Sequence, residues 1–87
     1  KIKIENFIKF TKIITKSKFN FEEISELYFF PSGRWDIKST KGILIKLPET
    51  NLLKALNLAH QITINEIFKN DKVIDLRVHN RVISTHE

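Results

Sequence analysis

Cysteine is absent from these 87 residues, so the fold has neither a disulfide framework nor a thiolate zinc site and must be held by its core. Glycine and proline number two each, too few for a glycine-rich loop that cradles phosphate or for a low-complexity linker. No long apolar run occurs: the longest, Leu27 to Phe30, is four residues, whereas a membrane-spanning helix needs about 20. Acidic residues are scarce at the start. Residues 1–18 hold Lys1, Lys3, Lys9, Lys12, Lys16 and Lys18 against Glu5 alone, and this segment accounts for the net charge of +5 carried by the whole chain. The remainder is neutral, so the charge belongs to one segment and not to a basic surface spread over the molecule.

Hydrophobic residues make up 41% of the chain and aromatics 10%, enough for a globular core, and the length fits one domain over residues 1–87. A chain that opens on Lys1 reads as part of a longer protein. From Ile4 to Ser17 the residues Ile4, Phe7, Ile8, Phe10, Ile13 and Ile14 recur at three- and four-residue steps, with Glu5, Lys9, Lys12 and Lys16 opposite. That spacing predicts an amphipathic helix with a solvated lysine face.

Between Ile24 and Leu47 β-branched and aromatic residues dominate, punctuated by Pro31-Ser32-Gly33 and Thr40-Lys41-Gly42. Strands are predicted at Ile24 to Phe30, Arg34 to Lys38 and Ile43 to Leu47, paired antiparallel because their connections are too short for crossovers. After Pro48 a helical spacing runs from Asn51. The capping-box pattern Thr63-Ile64-Asn65-Glu66 predicts a break near Gln61 and a short second helix to about Lys69, with one continuous helix as the alternative. Two last strands, Val73 to Val78 and Arg81 to Thr85, flank a hairpin turn at His79-Asn80. The expected fold is α+β: an antiparallel five-stranded sheet in the order α-β-β-β-α-β-β, with the two main helices on one face. Trp35, Ile37, Ile45, Leu56 and Leu76 are the expected core.

Catalysis needs a nucleophile with a base, a carboxylate pair or a metal cluster, and the chain offers none. His60, His79 and His86 stand at no ligand-like spacing. Asp75 and Arg77 lie two apart on one strand face and read as a structural pair. No metal and no cofactor is expected. The order α-β-β-β-α also occurs in double-stranded RNA-binding domains. Those carry a lysine cluster where the second helix begins, and here Pro48 to Lys54 holds one lysine and one acid. No aromatic residues interleave with basic ones to stack bases. A small basic nucleic-acid-binding domain is therefore the alternative reading, and binding to nucleic acid is not expected.

Three blocks carry a resemblance: Gly33-Arg34-Trp35-Asp36-Ile37, then Gly42-Ile43-Leu44-Ile45-Lys46-Leu47-Pro48-Glu49, then Val73-Ile74-Asp75-Leu76-Arg77. In order and separation they resemble the C-terminal β domain of the bacterial cell-division family FtsQ/DivIB, over about Ile4 to Ile83. The resemblance implies a non-enzymatic divisome scaffold on the periplasmic side of the inner membrane, held by an anchor that lies outside this sequence. It implies partners of the FtsB and FtsL type, recruited through the final strand. Carried over residue by residue, the partner-binding set is Arg77, Val78, His79, Asn80 and Arg81 at the hairpin and Val82, Ile83, Ser84 and Thr85 on the closing strand. Arg34 is the nearest match to an arginine that meets a partner glutamate.

Overall fold

The structure, a computed structural model, describes residues 4–65, 67, 70, 72–77 and 83–85. Helix α1 spans Ile4–Lys16, with Glu5 in its first turn and Lys16 in its last, the charge order that suits the helix dipole. Ser17 ends it: its N–H donates to the carbonyls of Ile13 and Ile14, its hydroxyl donates to Ile14 O at 2.7 Å, and the same hydroxyl oxygen accepts from Phe19 N at 3.0 Å. A single 3-10 turn at Phe21–Glu23 leads into β1, Ile24–Phe29. Strands β2, Trp35–Ser39, and β3, Leu44–Lys46, follow through the two predicted turns. Gly33 and Gly42 take φ of +94° and +88° there, a region that side-chain-bearing residues rarely occupy.

Helix α2, Leu52–Thr63, starts from Asn51 in the left-handed conformation at φ 57°, which asparagine tolerates better than most residues. Strands β4, Val73–Asp75, and β5, Ile83–Thr85, complete a sheet in the order β1-β2-β3-β4-β5. This sheet is mixed, which corrects the expected antiparallel one: β3 and β4 run parallel, Ile45 opposite Ile74. Short turns force β1, β2 and β3 to alternate, but α2 carries the chain back to the end of the sheet where β3 began, so β4 re-enters in the same direction. Thr63 is also not a helix start. It is the last residue of α2, and its hydroxyl donates to His60 O at 2.8 Å. The break therefore falls after Thr63 instead of near Gln61, and the rest of the expected second helix includes Glu66, Phe68 and Lys69, outside the described residues.

Register aligns Leu27, Ile37, Ile45 and Ile74 in one row across four strands, each on the face that receives the helices. Ile37, Ile45 and Ile74 are fully buried with Phe10 and Ile14 of α1 and Leu56 of α2. Trp35, one position along, lies parallel to the Phe10 ring at 4.4 Å between centroids and tilted against Phe29 at 4.7 Å. All five residues expected in the core are buried, including Leu76. The apolar face of α1 is only partly used: Phe10 and Ile14 are buried, whereas Ile4, Phe7 and Ile8 remain exposed.

Candidate functional site

Backbone bonds fix which amides each strand directs to its neighbours. Leu44 N–H donates to Lys72 O and Leu76 N–H to Lys46 O, both at 2.9 Å. Residues 72, 74 and 76 thus turn their backbone groups toward β3, and Val73 and Asp75 turn theirs toward β5. Their partners there are Thr85 and Ile83. Ser84, opposite Ile74, is then the residue whose N–H and C=O point away from β4, along the outer edge of the sheet. The same alternation, anchored by Phe30 N–H to Arg34 O at 2.9 Å, directs Leu27 and Phe29 outward at the opposite edge, β1. That edge is interrupted by a register shift between Ile24 and Glu26, a bulge of the kind that discourages strand addition.

The face of the sheet away from the helices carries a charged row, with Tyr28, Asp36, Lys46 and Asp75 opposite one another on successive strands. Arg34 pairs with Asp36 and lays its guanidinium 4.4 Å from the centroid of the Phe30 ring. Asp36 is buried at 3% exposure; the guanidinium therefore compensates a carboxylate withdrawn from water. Arg77 grips Asp75 through two bonds, Nε to Oδ1 at 2.9 Å and Nη2 to Oδ2 at 2.7 Å, while its backbone N–H donates to Oδ1 at 3.0 Å. These bonds hold the Asp75 carboxyl below the usual carboxylate range and raise Arg77 further. The sequence expectation of a structural Asp75–Arg77 pair is what the structure contains. Tyr28 is shifted upward, chiefly because its hydroxyl donates to Glu26.

Of the expected partner-binding residues, the structure brings Arg34, Arg77 and the first residue of β5, Ile83, to one end of the sheet. Arg34 precedes β2, Arg77 follows β4, and Asp75 sits opposite Ile83. Both arginines share the helix-free face, because Asp36 and Asp75 lie in the same row about 10 Å apart, two strand spacings. Val78, His79, Asn80, Arg81 and Val82 fall outside the described residues, and Ser84 and Thr85 are described by backbone alone. His60 is half-buried on α2, with Nδ1 unpartnered among the described residues. No group of three or more His, Cys, Asp or Glu able to hold a metal ion occurs among them, and no helix among them is long and apolar enough to cross a membrane. Sequence reasoning missed the Arg34–Phe30 stack and the Asp36 partner; the only available signal was Asp36 two positions after Arg34, the same spacing that Asp75 and Arg77 show.

These features define a small α+β domain, a mixed sheet backed by two helices, with two ion pairs on its helix-free face and β5 at an edge. The family model for the C-terminal domain of the cell division protein FtsQ/DivIB matches residues 3–77, and the chain belongs to that family. It is a family of non-enzymatic, membrane-anchored bacterial division proteins with a periplasmic domain. No match is found among curated proteins or among solved structures.

Proposed function

We propose that this domain serves septum formation by binding division proteins of the FtsB and FtsL type on the periplasmic side of the inner membrane, through strand addition beside β5. The observation that carries this reading is the position of β5 at the outer edge of the sheet, with the Ser84 N–H and C=O directed away from β4. Among the described residues no strand lies beyond β5, and such an edge is a template for another strand. The bulged β1 edge is the poorer template of the two.

Magnitudes limit the affinity. Ser84 offers one donor and one acceptor, and each such bond nets about 0.5 to 1.5 kcal/mol, less than the several kcal/mol that association costs. Side-chain contacts from Arg77 and Arg81 at the β5 side of the sheet supply the remainder, and co-anchoring in one membrane raises the effective concentration. The domain by itself binds weakly to moderately. The test is titration with a peptide from the C-terminal part of an FtsB-type protein, followed by amide shifts. Binding should persist in Ser84→Ala and weaken at least about two- to tenfold in Ser84→Pro, the loss of one such bond, and should weaken only modestly between about 0.05 and 0.2 M salt, where phosphate binding would fall steeply. Unchanged binding by a folded Ser84→Pro variant, or tight salt-sensitive binding of DNA or RNA, refutes the reading.

A further inference from the structure

On the helix side of the molecule, at the β1–β2 end and away from β5, a cleft of about 210 Å³ opens between α1, the start of α2 and the first hairpin. Its walls are Asn6, Lys9 and Ile13 of α1, Leu52 of α2, and Phe29 and Trp35 of the sheet. The floor is aromatic and aliphatic. Among the described residues Lys9 is the only ionisable side chain that lines it, and no carboxylate does; Glu5, one turn earlier on α1, is not part of the wall. Lys12 and Lys16 continue from Lys9 along the exposed face of the same helix, in the segment that holds the whole net charge of the chain. Leu53, also exposed, adds apolar surface in the first turn of α2.

We infer that this cleft is a second docking site, which takes one large apolar side chain of a partner protein from a segment whose neighbouring residues are acidic. The volume falls below the roughly 300 to 1,000 Å³ of small-molecule pockets and suits a single anchoring side chain. A nucleobase is a poor occupant, because one face of Trp35 is stacked on Phe10 and Phe29 presses against the ring at 4.7 Å, leaving no open aromatic platform of the kind that bases use. Charge selects among apolar segments: beside Lys9, Lys12 and Lys16 an acidic flank is attracted and a basic one repelled. The site is independent of strand addition at β5, and the two fail separately.

Trp35 is the sole tryptophan and lines the cleft, so its fluorescence reports occupancy directly. The probes are a capped pentapeptide with phenylalanine between two pairs of glutamates, its counterpart with lysines, and vesicles of anionic phospholipid. The acidic peptide should change Trp35 emission saturably, and the lysine peptide should not. Lys9→Glu, at an exposed position, should weaken the acidic peptide about threefold or more, whereas Lys12→Glu, off the cleft wall, should weaken it less. Asn6→Phe, which fills the mouth, should abolish the response while circular dichroism stays native. Equal response to both peptides, no saturable response to the acidic one, a response confined to vesicles, or undiminished binding by folded Asn6→Phe overturns the inference.

Discussion

Proline at two adjacent positions of β5 separates the fold from the outer edge of the sheet. Ile83 lies opposite Asp75, in a pair whose backbone groups face each other across β4 and β5, while Ser84 lies opposite Ile74, in a pair whose groups face away. Ile83→Pro deletes a ladder donor and leaves the Asp75 carbonyl without it. The lost bond is worth about 0.5 to 1.5 kcal/mol and an unsatisfied buried acceptor about 1 to 3. Asp75 is only half-buried, so the lower half of that range applies and the cost is about 2 kcal/mol. For a domain of this size 1 kcal/mol moves Tm by about 4 to 8 °C, so Ile83→Pro should melt about 8 to 16 °C lower. Ser84→Pro removes an amide that no strand among the described residues uses, and the residue before it is already extended, as proline requires. Its Tm should stay within about 4 °C of the parent, the equivalent of 1 kcal/mol. Thermal unfolding followed by circular dichroism gives both numbers in one experiment. The reverse order, with Ser84→Pro the more damaged, would mean that the alternation traced from Leu44 and Leu76 through β4 is misassigned, and the outward amide with it.

Three further outcomes follow from the packing and the ion pairs. Phe10→Ala removes the ring stacked on Trp35 in the core and should cost about 3 to 5 kcal/mol, with a red shift of tryptophan emission that reports water reaching Trp35. Gly42→Ala should cost about 1 to 3 kcal/mol in urea unfolding through backbone strain alone, since nothing lies within 4 Å of the added methyl carbon; an unchanged midpoint would contradict the positive φ. Asp75, depressed in the folded state by Arg77, stabilises above its unfolded pKa of about 3.9, and that contribution is lost as pH falls through the lower folded value. Because Arg77 is 43% exposed, Asp75→Asn should lower stability at pH 7 by no more than about 1 kcal/mol. The deficit should shrink as pH falls below the unfolded value; a deficit independent of pH would assign the effect to packing.

Local chemistry made much of this fold readable. The two turns contain the residues that must adopt positive φ, and the alternation of Trp35 and Ile37 with Asp36 and Lys38 already marks which side of β2 meets the helices. What could not be read is the direction of β4. Turn lengths determine direction only between strands joined by turns, and β3 and β4 are joined through α2, where local pattern is silent about the path of return. The capping-box signal misled for a related reason. A threonine hydroxyl can satisfy a carbonyl one turn back as well as an amide ahead, and at Thr63 the first option prevailed because Ala59 and Ile62 were already buried as parts of α2. For the site, the Asp75–Arg77 pair was legible from spacing. The engagement of Arg34 was not, since its partners Asp36 and Phe30 stand on opposite sides of a turn whose geometry brings them together.

The direction of β4 also decides what the candidate site contains. Asp36 lies opposite Lys46, and Lys46 lies opposite Asp75. The end of the sheet where β2 begins is therefore the end where β3 and β4 finish, and Arg34 and Arg77 flank that end on one face, two strand spacings or about 10 Å apart. Had β4 run antiparallel to β3, its last residues would lie beside Lys38 and Leu44, and Arg77 would be separated from Arg34 by the length of the sheet. The reversal propagates one strand further. With β4 parallel to β3 and β5 antiparallel to β4, β5 starts beside the arginine pair. A strand added beside β5 would lie two strand spacings, about 10 Å, from β4, so an acidic side chain reaching Arg77 across β5 would meet a guanidinium already held by Asp75 of the same strand. A partner acid then has to share Arg77 with Asp75, and such sharing favours orientation and register over raw affinity.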